Sequence, residues 1–303
     1  MKINKIMLIL LILAPKVSIA EECVLEASIN YLPITYQDNS LPSEMILTLT
    51  KTNLSACEGR IGISSGNSVN YNRTLSNSMK NSTLSYGLFG QDTLVTELKD
   101  VPDSIGSSEY ISFSFLEGQN LTKQISIYLK IDNNQQSQFL KPAGNYSDSI
   151  TINFYPTTSV ISYKSIPVPL QAEVQELIGV KVGRINQGYD SSESTALSEL
   201  NYNEQSRQLS AYVISNVGYS VSFNSANLGV LVKNGSNGIF IPYSLIINGI
   251  PRTLTSTYTI SSEFVTNSNG NEIPITIGTQ ILPSQQYTGT YSDTIIISII
   301  AME

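Results

Sequence analysis

The chain's one match to a catalytic motif is Gly62-Ile63-Ser64-Ser65-Gly66, which fits the G-x-S-x-G nucleophile elbow. In that chemistry the serine hydroxyl attacks a carbonyl after giving its proton to a histidine. The chain contains no histidine, so Ser64 lacks the ordinary base. The elbow also needs a strand-to-helix turn in an α/β sheet, and no long stretch here sustains helical periodicity. Asp190 and Glu193 are paired carboxylates of the kind used in acid–base work, but nothing sets them apart from a solvated loop. Metal binding would fall to carboxylates alone, and Asp132-Asn133-Asn134 lacks the spacing of a calcium loop and reads as a turn. Asn72-Arg73-Thr74 and Asn234-Gly235-Ser236 are glycosylation triplets that would matter only in a glycosylating host. The sequence predicts no enzyme, no cofactor and no metal.

The elements that carry these residues are β-strands of an exported chain. Lys2 and Lys5 precede an apolar run from Ile6 to Ala14 and then Ser18-Ile19-Ala20, a small-x-small cleavage signal. Residues 1–20 therefore read as a secretory signal peptide, too short in its apolar run to span a bilayer. Glu22 occupies the place before Cys23 where a lipoprotein signal has a small residue, which argues against a lipid-modified cysteine. Cys23 and Cys57 are the only two cysteines, and in an exported protein they most simply form one disulfide. The formal net charge is −7, with no Lys/Arg-rich run, which excludes nucleic acid as an expected partner.

Alternating segments recur along the chain: Ile111, Phe113 and Phe115; Ile125, Ile127, Leu129 and Ile131; then Leu209 to Ile214, Tyr219 to Phe223 and Tyr243 to Ile247. Each has the period of a half-buried strand. Asn234-Gly235, Asn248-Gly249 and Asn269-Gly270 supply tight-turn dipeptides between them. Only Leu170 to Ile178 has some helical character, and it too is read as strand. One phrase occurs twice: Gly144-Asn145-Tyr146-Ser147-Asp148-Ser149-Ile150, and Gly289-Thr290-Tyr291-Ser292-Asp293-Thr294-Ile295, each continuing as an alternating strand. The copies lie about one sandwich domain apart. The fold class expected is all-β: two tandem antiparallel β-sandwiches, at 21–160 and 161–303. The boundary is expected near 158 to 166, where Pro156, Pro167 and Pro169 interrupt the pattern, as a short semi-rigid link setting the halves end to end.

These residues carry a family resemblance. The two Gly-x-Tyr-Ser-Asp-x-Ile-x-Ile endings resemble the terminal strand of the spore coat protein U domain, the pilin-like module of archaic chaperone-usher pili. Cys23 and Cys57 resemble that family's cysteine pair. Arg73-Thr74-Leu75 and Leu84-Ser85-Tyr86-Gly87-Leu88 resemble its middle strands; in the second half the similarity lies in Ser215-Asn216, Tyr219, Ser225-Ala226-Asn227-Leu228-Gly229-Val230-Leu231 and Ile241-Pro242-Tyr243-Ser244-Leu245. The second half lacks the cysteine pair.

The resemblance implies a subunit assembled by donor-strand complementation. It also implies tandem immunoglobulin-like β-sandwiches, the second incomplete: a pilin lacks its final strand, a periplasmic chaperone lends one, and at the outer-membrane usher an adjacent pilin subunit replaces it. The strand bordering the groove would carry Ile295, Ile297 and Ile299, while the copy at 144 to 154 would lie inside a self-sufficient sandwich. Only Glu21 and Glu22 of the mature chain precede Cys23, so the sequence leads us to expect a subunit that accepts a strand and has none to give: a tip adhesin at the cell surface. Its first half would attach to a hydrophobic or abiotic surface, or to an unknown receptor, and so promote biofilm. Tyr31-Leu32-Pro33-Ile34, Leu88-Phe89 and Leu116 are conceivable contacts, although the binding loops are not identified by sequence. The alternatives are a self-associating coat or matrix protein and a β-sandwich carbohydrate-active enzyme; the second is disfavoured by the missing His, Trp and motif-spaced acids.

Overall fold

The computed structural model describes residues 23–36, 41–118, 121–131, 141–196, 206–235, 238–263, 265–279 and 289–302. The expected signal peptide, Asp132-Asn133-Asn134 and Ser236 lie outside the described residues. Among the described residues there is no α-helix, only strands and two single 3-10 turns at Val101–Asp103 and Ser107–Glu109. None of the described residues forms a helix long and apolar enough to cross a membrane.

Ten strands form the first unit: β1 (Leu25–Asn30), β2 (Ile34–Tyr36), β3 (Ser43–Lys51), β4 (Cys57–Ile63), β5 (Thr74–Asn77), β6 (Ser82–Phe89), β7 (Ile111–Phe115), β8 (Thr122–Ile131), β9 (Gly144–Pro156) and β10 (Lys164–Val174). One layer runs β1-β3-β8-β6 and the other β7-β4-β9-β10-β2, with β5 joining β6 to β9. All pairs are antiparallel except β2 with β10. Period-2 alternation sends Met45, Leu47 and Leu49 of β3, Ile127 and Leu129 of β8, and Ile150, Ile152 and Phe154 of β9 into one core between the layers. Cys23 and Cys57 are disulfide-bonded, linking the segment before β1 to the start of β4 and so one layer to the other.

The second unit repeats this plan with β11 (Ile178–Gly183), β12 (Arg207–Ser215), β13 (Tyr219–Ser225), β14 (Val230–Lys233), β15 (Phe240–Ile247), β16 (Ile250–Arg252), β17 (Tyr258–Ser262), β18 (Asn271–Thr279), β19 (Tyr291–Ser292) and β20 (Ile295–Ala301). Its order β11-β12-β18-β15-β14-β19 matches β1-β3-β8-β6-β5-β9, and β17-β13-β20 matches β7-β4-β9. The register repeats as well: Ile61 faces Phe154 and Ile63 faces Ile152 in the first unit, and Val221 faces Ile299 and Phe223 faces Ile297 in the second. A separate core gathers Val213, Val221, Phe223, Leu245 and Ile273. β10 and β2 have no counterpart among the described residues of the second unit.

The boundary expected between 160 and 161 falls elsewhere. Residues 157–163 form the turn of a β9–β10 hairpin, and β10 pairs with β9 from Lys164 opposite Phe154 to Val174 opposite Gly144. Pro167 and Pro169, read as interruptions, sit within β10. They fit because β10 is an edge strand over that stretch: β2 joins its far side only from Ala172 to Val174, so the missing N–H groups break no ladder. The segment Leu170 to Ile178 is strand to Val174 and strand again from Ile178, and the units change over at 175–177. Asn216, fully buried, grips this link: its amide donates to Gln175 O (2.8 Å), its Oδ1 accepts from Leu177 N (2.7 Å), and its backbone oxygen accepts from Ala143 N (3.0 Å).

Candidate functional site

The repeated phrase starts at glycines whose φ values, +132° at Gly144 and +151° at Gly289, suit few other residues. Its aspartate is a hydrogen-bond hub in both copies. Asp148 accepts from Tyr86 Oη (2.6 Å), Asn67 N (3.1 Å), Asn67 Nδ2 (2.7 Å) and Ser149 N (2.8 Å). Asp293 accepts from Tyr243 Oη (2.7 Å), Asn227 N (3.1 Å), Ser225 Oγ (2.6 Å) and Thr294 N (2.7 Å). In each, a carboxylate pins the start of the phrase's strand to a tyrosine from the opposite layer and to a loop asparagine. Burial, reinforced by the neighbouring carboxylate, pushes the Tyr86 and Tyr243 hydroxyls well above the usual phenol range. Tyr146 donates to Pro142 O (2.8 Å), closing the turn before β9.

The two copies then diverge. β9 is paired on both sides, by β4 and β5 on one and β10 on the other, and Ile150, Ile152 and Phe154 are 0% exposed. Among the described strands β20 is paired only with β13, and its other edge carries no ladder. Ile295, Ile297 and Ile299 pack against the second core but remain partly exposed. In the first unit the covering is done by β10, whose inward Val168, Leu170, Ala172 and Val174 are all buried. In the second unit β11 runs beside β20 without pairing to it; β11 pairs with β12 and, at Val182, with Glu193, and its Ile178 and Val180 are likewise only partly buried. Two strand edges thus lie side by side with no ladder between them, beside apolar side chains that remain partly exposed. β20 is apolar on its other face too, where Ile296 and Ile300 are 51% and 65% exposed; their equivalents in β9 are Thr151 and Tyr155.

A second apolar feature lies at the pole of the first unit remote from the junction, where β9 ends. Lys51, fully buried, donates to Leu116 O (2.6 Å), Ser55 O (3.0 Å) and Leu54 O (3.5 Å), and Gly118 N donates to Leu54 O (2.9 Å). A buried ammonium is costly unless its three protons are bonded, so Lys51 fastens two loops together. Those loops display Leu54 and Leu116, 64% and 77% exposed. Thr52 N bonds Val24 O beside them, and Arg60 holds the β9–β10 turn through Pro156 O and Ser159 O, leaving Val24, Val160 and Ile161 exposed. Of the conceivable contacts, Leu116 and Leu32 are exposed, Phe89 is half-buried, and Ile34 and Leu88 belong to the core. Leu54 and Lys51 escaped the sequence reading because a lone Leu or Lys in a β pattern has no signature of its own.

The elbow motif has a structural purpose. Ser64 Oγ accepts from Thr151 N (2.8 Å), Ser64 O accepts from Arg73, and Gly66 (φ +68°) leaves room for the Asp148 carboxylate, which a Cβ there would strike. Asp190 and Glu193 are both exposed. No group of three or more His, Cys, Asp or Glu side chains among the described residues is placed to hold a metal ion.

The family model described as Spore Coat Protein U domain matches residues 14–153, which end within β9, inside the first unit. No curated protein matches the chain. Among solved structures, the chaperone–tip adhesion subunit pre-assembly complex CsuC-CsuE from archaic chaperone-usher Csu pili of Acinetobacter baumannii is similar at 12% identity, over 90% of this chain and 99% of that one, with a TM-score of 0.44. CfaE, the adhesive subunit of the CFA/I fimbria of enterotoxigenic Escherichia coli, is similar at 10% identity, over 91% and 87%, with a TM-score of 0.33. Both likenesses are of outline alone.

Proposed function

We propose, from the premise that the first half is a Spore Coat Protein U domain, that the protein is a subunit of a chaperone-usher pilus whose second unit receives a strand from another chain. One observation carries this reading. The paired order of the first unit recurs in the second, but β10, the strand that covers β9, has no counterpart there among the described residues, nor does the short β2 beside it, and the isoleucines of β20 are left partly exposed where β10 would lie. β10 also supplies the pattern of the missing piece: an extended segment, antiparallel to β20, with apolar residues at alternate positions. Burying four such side chains is worth roughly 1.5–3 kcal/mol each, enough to hold a donated strand.

The donors are a periplasmic chaperone before assembly and an adjacent subunit after it, with the outer-membrane usher as the place of exchange. The first unit, closed by its own β10, would be the outward end of the molecule, as in a tip adhesin, and its apolar pole around Leu54 and Leu116 would meet a hydrophobic surface. Co-expression with the periplasmic chaperone should yield a one-to-one complex that is lost when residues 294–303 are removed. Soluble monomer without a chaperone would contradict the reading, and homopolymers formed without chaperone or usher would favour a self-associating coat protein. Leu54→Ser with Leu116→Ser should lower retention of cells on plastic without affecting the chaperone complex; unchanged retention would remove the pole from the account.

A further inference from the structure

The outer face of the first unit carries a depression that neither pilus assembly nor the apolar pole uses. It lies over β6, framed by residues 71–74 on one side and 94–97 on the other, with a volume of about 500 Å³, in the range of small-ligand sites. Period-2 alternation turns Ser85, Gly87 and Phe89 outward here while Leu84, Tyr86 and Leu88 face the core. Gly87 opens the floor: a Cβ at that position would sit 2.7 Å from the Phe89 ring, so only glycine lets the ring lie over the strand. Lys130 is the register partner of Gly87 on β8 and lines the same space.

The walls are held rigidly. Arg73, 1% exposed, donates to Ser64 O (2.9 Å), Ile63 O (3.1 Å), Leu98 O (2.7 Å) and Glu97 Oε1 (2.6 Å). Its guanidinium lies 4.8 Å from the centroid of the Tyr71 ring, and Tyr71 Oη donates to Asp103 while accepting from Asp100 N. Tyr71 (φ +61°) and Leu94 (φ +54°) both adopt the left-handed conformation that bulky side chains avoid. These ties fix one wall relative to the other, so the depression is preformed.

Its chemistry is mixed in a particular way. Tyr71, Phe89 and Leu94 offer apolar surface, Asn72 an exposed amide, and Glu97 a carboxylate whose side chain is 31% exposed. The two ion pairs among the described residues are Arg73–Glu97 and Lys99–Glu109, so the Lys130 ammonium has no carboxylate partner among those residues. We propose that this depression binds a saccharide ring bearing a carboxylate. The aromatic surface takes the C–H face of the ring, Asn72 and Glu97 take hydroxyls, and Lys130 takes the acid group. A polyphosphate fits badly, because Arg73 is committed internally and the single ammonium of Lys130 can balance one negative charge but not several.

The test uses the full exported chain, as its chaperone complex if that is the soluble form, with D-glucuronate and D-glucose as probes, read by saturation-transfer NMR and titration calorimetry. The expected result is glucuronate binding with glucose about tenfold weaker, the size of one charge-assisted contact. Lys130→Met should bring the two sugars to parity, and Phe89→Ala should abolish both, with the thermal transition of each variant confirming the fold. No transfer to either sugar at tens of millimolar, equal binding of the two by the wild type, or binding indifferent to both substitutions would overturn the site. Because chaperone capture is read separately, that failure would leave the pilus reading standing.

Discussion

Asp148 and Asp293 show why a residue repeats in a duplicated chain. Each is the acceptor that joins a tyrosine, an asparagine loop and its own strand. Removing either should strand several donors, so Asp148→Ala is expected to cost about 2–3 kcal/mol, read as a lower denaturant midpoint for the first unit, with Asp293→Ala doing the same to the second. The tyrosines give a pH signature. Their folded-state values stand above the unfolded value of about 10, so their contribution is complete below that pH and is lost as pH rises through the folded values. Absorbance at 295 nm should therefore show Tyr86 and Tyr243 ionising only with alkaline unfolding, and Tyr86→Phe should remove part of that coupling; free titration near pH 10 in the folded chain would contradict it. At this scale the sequence was half legible. The repeat marked the aspartates, but the work of Ser64, as acceptor for Thr151 N, and of Gly66, as clearance for Asp148, depends on residues more than 80 positions away, which no local motif can express.

At the scale of elements, the difference between β9 and β20 is one of coverage. Ile152 and Ile297 occupy equivalent register positions, yet one is sealed under β10 and the other is half-exposed. Ile152→Ala should cost about 2–5 kcal/mol, the range for a buried isoleucine. Ile297→Ala should cost distinctly less in the free chain and approach that range once a strand is bound, as measured by chemical unfolding with and without the partner. Equal costs in the free chain would mean that β20 is already covered. Strand alternation made most of these elements readable. β10 was misread because its prolines, which end a central strand, are tolerated on an edge, and edge position is a property of pairing rather than of sequence.

At the scale of the molecule, two sandwiches meet at a three-residue link clamped by Asn216. Asn216→Ala should leave each unit's unfolding midpoint nearly unchanged while broadening the distribution of end-to-end distances in small-angle scattering and exposing 175–177 to proteolysis; an unchanged distribution would assign the rigidity elsewhere. The duplication was visible in the sequence from its two glycine-tyrosine-aspartate phrases, but the changeover point was not, because the strand that closes the first unit follows the first phrase and has no described counterpart after the second. That asymmetry is the basis of the functional reading. It is tested most directly by appending a copy of residues 157–174 after Ala301, so that the β9–β10 hairpin is recreated on β20. The account predicts a chain that is monomeric without any chaperone, with the second unit's thermal transition raised by several degrees and β20 amides as protected from exchange as those of β9. An appended segment that leaves midpoint, protection and oligomeric state unchanged would contradict it.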